Sequence, residues 1–374
     1  MPELPLPVGE TVGAVVDAYQ SPPYGPYAEA PESRLGLRLL GVLALLVTGA
    51  ALAAVAFLPA GEHGGGAEHE GLPVLGVSHL LYPAELRAEL PQPGGGTWMF
   101  PAASVEAGGA TFVLDSGNNR ILKLDASGTV TGALGEGAGL AEPMALATDG
   151  ERLYIANSMA SQVVAMRLDG TVEKTLTLAP GPGDTLAPRP IGIAVVKTGG
   201  LAVSDANNHR VLLLDTDGNL TGAAGTGSRA GGQDGFNVPS ALTTDEAGNL
   251  YVVDTLNGRV VKLSPEGAYV GEFGKLGDTA GSLARPKGVA VDGDGHVFVS
   301  DGLKAAVEVF AADGTYLGMI GRRSEDDATS DSMFQAPAGL RIAGVTLYVV
   351  DRMGGLVTLA LSEAEAVPIA GTPR

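Results

Sequence analysis

Residues 250–274 read LYVVDTLNGRVVKLSPEGAYVGEFG, and two other stretches copy that pattern: TFVLDSGNNRILKLDASGTVTGALG from Thr111 and LAVSDANNHRVLLLDTDGNLTGAAG from Leu201. Three weaker copies begin LYIANS, VFVSDG and LYVVDR. Aligning all six places Asp115, Asn157, Asp205, Asp254, Asp301 and Asp351 in one column, at spacings of 42, 48, 49, 47 and 50 residues. A proline stands 14 or 15 residues before each, and a glycine 20 residues after four of the first five. Each unit holds four short β-branched-rich runs separated by turn residues, as in 241–244, 250–253, 260–263 and 269–273. Four antiparallel strands repeated six times at this period predict an all-β six-bladed propeller over residues 97–374, since a ring buries both apolar faces of every blade.

Working outward, 39–58 is twenty residues without charge or proline. At about 1.5 Å per residue it spans a bilayer core of roughly 30 Å. Arg34 and Arg38 precede it and Glu62, Glu68 and Glu70 follow. The expectation is a single-pass transmembrane helix within 34–59, its N-terminus cytoplasmic and the propeller outside the cell. The rival is a cleaved signal, for which Ala54-Val55-Ala56 supplies a small-x-small triplet. Residues 1–33, with Pro and Tyr clustered at 19–27, read as a disordered tail, and 60–96 as a linker. Two segments compete for the outer strand of the sixth blade, 72–77 in that linker and 366–371 at the C-terminus, the register favouring the second.

The chain has 23 Lys+Arg against 42 Asp+Glu, a net charge of −19, and no basic run beyond Arg322-Arg323, which argues against nucleic acid as a partner. It has no cysteine, which excludes disulfides, thiolate metal sites and cysteine nucleophiles. Asp215-Thr216-Asp217-Gly218-Asn219 opens like a calcium loop, but Leu220 and Thr226 stand where Gly and Glu belong, so it reads as a hairpin turn. No cofactor is expected, and no catalytic motif is present.

The units resemble NHL repeats, in the pattern P-x-G-(apolar)3-D…G-(apolar)3-D-x-x-N-x-R, here PKGVAVDGDGHVFVSD and VVDTLNGRVVKL. Three copies keep Asp and Arg five apart: Asp115/Arg120, Asp205/Arg210 and Asp254/Arg259. Gln162, Ala306 and Leu356 stand at the arginine position of the others. The pair is read as structural, together with Asp301 and Asp351, the carboxylate holding turn amides and the guanidinium tying the turn to its neighbour.

The resemblance includes an amidating lyase with channel zinc and gluconolactonase-like propellers with channel calcium, so a metal-dependent lyase or hydrolase is the alternative function. Only His209 and His296 lie in the repeats, at opposite ends of different blades, which is too few for a three-histidine zinc site. The principal expectation is a recognition or scaffold propeller, similar to the extracellular sensor propellers of some bacterial kinases. It would bind a protein, peptide or glycan on the face bearing the long connections 136–142, 179–189, 226–238, 275–285 and 322–336. Candidate contacts there are Asn118, Asn119, Asn207, Asn208, His209, Asn257, Arg229, Phe236, Lys275, Arg322, Arg323 and Phe334.

Overall fold

β-branched and aromatic residues alternating with Gly, Asn and Asp turns give short strands that cannot bury both faces alone. The computed structural model describes residues 84–90, 98–321 and 333–361, and shows how six such units satisfy one another. The first blade runs Pro101–Ala107, Ala110–Asp115, Arg120–Leu124 and Val130–Leu134. The second starts at Pro143–Thr148, the third at Pro190–Val195, the fourth at Pro239–Thr244 and the fifth at Pro286–Val291. Each is a four-stranded antiparallel sheet in sequence order.

The sixth blade differs. Its own strands are Pro337–Ala343, Thr346–Asp351 and Gly355–Leu361, and the fourth is Ala84–Leu90 from the other end of the chain, paired antiparallel with Gly355–Leu361. The closure is therefore mixed, not the C-terminal one that the register favoured, and it uses neither of the two segments expected. Residues 72–77 and 366–371 lie outside the described residues, and 84–90 occupies the place for which they were considered. The alternating ends of AELRAEL hid it, because its charged residues mark an edge strand as readily as a linker. The expected transmembrane segment also lies outside the described residues, among which no helix is long and apolar enough to cross a membrane.

The core is six slabs, each shared by neighbouring blades. Phe112, Ile155 and Met166 join the first to the second, and Phe298, Val309 and Leu347 join the fifth to the sixth. Trp98, Val113, Leu122, Val350 and Leu356 join the sixth back to the first, which closes the ring. Burial of this kind stabilises at about 25 cal/mol per Å² of apolar surface.

The glycine of the P-x-G pattern is required by this closure. A Cβ on Gly288 would stand 2.0 Å from the Ala338 carbonyl oxygen, and one on Gly192 the same distance from that of Ser240. The innermost strands of adjacent blades approach backbone to backbone there, and no side chain fits between them.

Candidate functional site

Strand direction places the second-to-third turns and the fourth-to-first connections on one face. Each turn follows a buried acid or amide of the Asp column. Asp254 accepts from the Asn237 backbone N–H at 2.7 Å, the Asn257 side chain at 2.7 Å and Arg259 Nε at 3.0 Å. Arg259 also donates to the Gly232 and Gly235 carbonyls, so the turn grips the connection arriving from the preceding blade. Asp115 with Asn118 and Arg120, and Asp205 with Asn208 and Arg210, repeat the arrangement. Asp301 and Asp351 lack the arginine and each instead accept four backbone N–H groups, from residues 284, 285, 303 and 304 and from 335, 336, 353 and 354. In the second blade, which has Gln162 at the arginine position, Asn157 takes the column, accepting from the Ala141 N–H and donating to the Gly139 carbonyl.

This machinery absorbs most of the sequence candidates. Asn118, Asn208 and Asn257 donate to their own column aspartates, and Asn207 donates to the Ala187 carbonyl. Asn119 and His209 have φ of 50° and 49°, in the position where Gly258 stands in the fourth blade. They tolerate that left-handed position and accept from the Glu142 and Val238 backbone N–H groups. Phe236 and Phe334, expected to be exposed, are each 2% exposed: they plug the cores between blades three and four and between five and six. These two aromatic rings fold inward because the wedge between blades widens outward, whereas Leu186 and Leu276 of the same long connections stay exposed. Arg229 and Lys275 are exposed, and Arg322 and Arg323 lie outside the described residues.

The sequence reading missed a ring of apolar side chains. Two residues after the column stand Met159, Leu256, Leu303 and Met353, in four of the six blades, and they are 51–70% exposed. They were legible as a column of the repeat alignment, but the fold was needed to show that they surround one opening.

That opening is the loop-face mouth of the central channel. It is a cavity of about 150 Å³ lined by the starts of the innermost strands, with Met144, Ile191 and Ala241 among its apolar walls. Among the described residues its only charged lining side chains are Lys287 and Arg352. Burial, then the nearby Arg285 and Arg352, pushes the Lys287 ammonium down to about 8, with Asp301 opposing. Burial and Arg285 likewise lower Arg352, whose Nε is buried without a hydrogen-bond partner. The other end of the channel widens to about 770 Å³. There Arg341 pairs with Glu106 at 3.1 Å and lies over the Tyr348 ring.

Among the described residues Glu106 is the only carboxylate lining either cavity and no histidine lines them, a donor set that does not fit calcium or zinc. Among the described residues one cluster has metal-ligand proximity, Asp292, Asp294 and His296 in a hairpin turn on the opposite face. Asp292 already accepts from the Asp294 and His296 backbone N–H groups and bonds His296 Nδ1 at 2.8 Å. Asp215 is a hairpin residue too, held below the usual carboxylate range by the Asn219 side chain and amide.

The NHL repeat family model matches residues 188–212, the entry into the third blade and its second-to-third turn. The chain thus carries an NHL repeat within a six-bladed propeller. Similar solved structures include a catalytically inactive virginiamycin B lyase from Staphylococcus aureus with quinupristin, at TM-score 0.54 and 16% identity over 75% of this chain and 100% of that one. A gluconolactonase from Xanthomonas campestris matches at TM-score 0.54 and 19% identity, over 76% and 97%. A protein of unknown function from Bacteroides thetaiotaomicron matches at 0.56 and 15%, over 74% and 73%. At these identities the likeness is one of fold.

Proposed function

We propose that this chain is a non-enzymatic recognition propeller that binds a protein or peptide segment on its loop face. Residues 39–58 anchor it, with 1–33 cytoplasmic and the propeller outside. The observation that carries the reading is the exposed apolar ring of Met159, Leu256, Leu303 and Met353 around the channel mouth. Large apolar side chains repeated at one position on one face mark a contact surface better than scattered ones do. They favour a peptide with apolar side chains over a glycan. The metal-dependent alternative finds no support in the channel's donors.

The test is binding of the full-length chain to an immobilised panel of apolar peptides and glycans, beside a variant with all four ring residues changed to Ser. Peptide binding lost in the variant is the expected result. Equal binding by the variant, or retention by glycans alone, would reject the reading. Protease added to intact cells should remove the propeller and spare the tail, and a protected propeller would reject the orientation.

A further inference from the structure

The two cations at the channel mouth are departures from the repeat. One residue after the first-strand proline, the blades carry Ala102, Met144, Ile191, Ser240 and Ala338, and only the fifth carries a charge, Lys287. One residue after the Asp column they carry Ser116, Ser158, Ala206, Thr255 and Gly302, and only the sixth carries Arg352. The small residues there have structural uses: Ser116 donates to the Pro143 carbonyl of the next blade at 2.6 Å. Arg352 and Lys287 have none. Among the described residues neither side chain makes a hydrogen bond or ion pair, and no carboxylate lines the cavity they share. Asp301, which opposes the lowering of Lys287, is occupied by four backbone amides. Like charges brought together and partly desolvated oppose folding. In a chain of net charge −19, two cations without a partner among the described residues stand out further.

We propose that the loop-face mouth is a carboxylate-binding site, in which Lys287 and Arg352 receive a carboxylate of the bound peptide. This rests on the recognition reading above and deepens it. The carboxylate supplies the counter-charge that the described residues of the mouth lack, and the buried Nε of Arg352 gains an acceptor. The apolar side chain next to that carboxylate meets Met144 and Ile191 within the mouth, while the rest of the segment lies over the ring. A C-terminal carboxylate and an Asp or Glu side chain share this chemistry.

The probes are N-acetyl-leucine, a free carboxylate beside an apolar side chain, and N-acetyl-leucinamide, the same molecule without the charge. Binding to the solubilised full-length chain is measured by calorimetry at pH 7 and 8. N-acetyl-leucine should bind at least tenfold more tightly than the amide. Lys287→Met and Arg352→Met should each reduce its affinity about tenfold, and Lys287→Arg should retain it. At pH 8, binding should take up protons, seen as a buffer-dependent heat, because the carboxylate favours the charged ammonium. Equal binding of acid and amide would overturn the proposal. So would affinity unchanged in both Met variants, or inorganic phosphate binding more tightly than N-acetyl-leucine. N-acetyl-glutamate amide, with its carboxylate on the side chain only, separates the two sources: whichever compound binds more tightly identifies the group received, and failure of both rejects the site. The two readings fail separately. Ring variants that lose peptide while acid and amide bind alike leave the recognition face standing without the charge site. Discrimination between acid and amide, with peptide binding indifferent to the ring, leaves the reverse.

Discussion

Arg259 and Arg352 are both largely withdrawn from water, and they differ in what meets them. Arg259 is met by the Asp254 carboxylate, two backbone carbonyls and Glu272, so it staples a turn to the connection before it. Arg352 has a buried Nε without a partner and two other cations, Arg285 and Lys287, near it. The first is a charge consumed by the fold, and the second is held in spite of it. A buried pair is costly to break, whereas a buried unpaired charge is costly to keep. The contrast therefore separates a charge used by the architecture from one that the architecture does not explain.

The largest expected effect breaks the first half of that comparison. Asp254→Ala should lower stability by about 3–5 kcal/mol, measured by denaturant unfolding, since it strands the Arg259 guanidinium and the Asn237 amide. A loss below about 1 kcal/mol would show that the clamp is ornamental.

The sixth blade, one of three without an arginine clamp, depends on pairing with a distant segment. Removing residues 1–92 should lower the melting temperature by several degrees relative to removing 1–80, because only the longer cut takes the 84–90 strand, an expected loss of about 2–3 kcal/mol. Equal melting temperatures would deny that strand its role in closure.

At the mouth the sign reverses. Lys287→Met should raise stability at pH 7 by about 1–2 kcal/mol, because it removes a desolvated charge next to Arg285 and Arg352. The gain should fade in alkali. Unfolded lysine keeps its proton up to 10.5, whereas in the fold Lys287 gives it up at about 8. Between those values the unfolded chain binds more protons, so the parent's stability rises with pH across that window. A parent and variant that stay parallel from pH 7 to 10.5 would refute the assignment. The smallest effect sharpens the same point: Leu303→Ser and Met353→Ser should change stability by less than about 0.5 kcal/mol, since exposed side chains on turn tips support little packing.

Much of the fold was legible because the same physics is repeated six times. The Asp column, its prolines and the P-x-G glycines each answer a constraint that recurs in every blade, so one column reinforces the next. Asn157 shows the logic at one position: where Gln162 replaces the arginine, a neutral amide serves the turn. The candidate site was less legible. Asn119, Asn207, Asn208, His209 and Asn257 were conspicuous as polar residues, yet they serve the turns. Phe236 and Phe334 were conspicuous as aromatic loop residues, yet they fill the outer core.

The sequence by itself determined the repeat, the number of blades, the strand order within a blade and the face carrying the turns. These follow from local periodicity and turn chemistry, which act over a few residues. Only the tertiary structure decided that Ala84–Leu90 closes the sixth blade and that Lys287 and Arg352 share one mouth 65 residues apart in sequence. It also decided that four exposed apolar residues from separate blades ring that mouth. All three outcomes depend on where the ring brings distant backbone together, and no pattern within a single repeat encodes that distance.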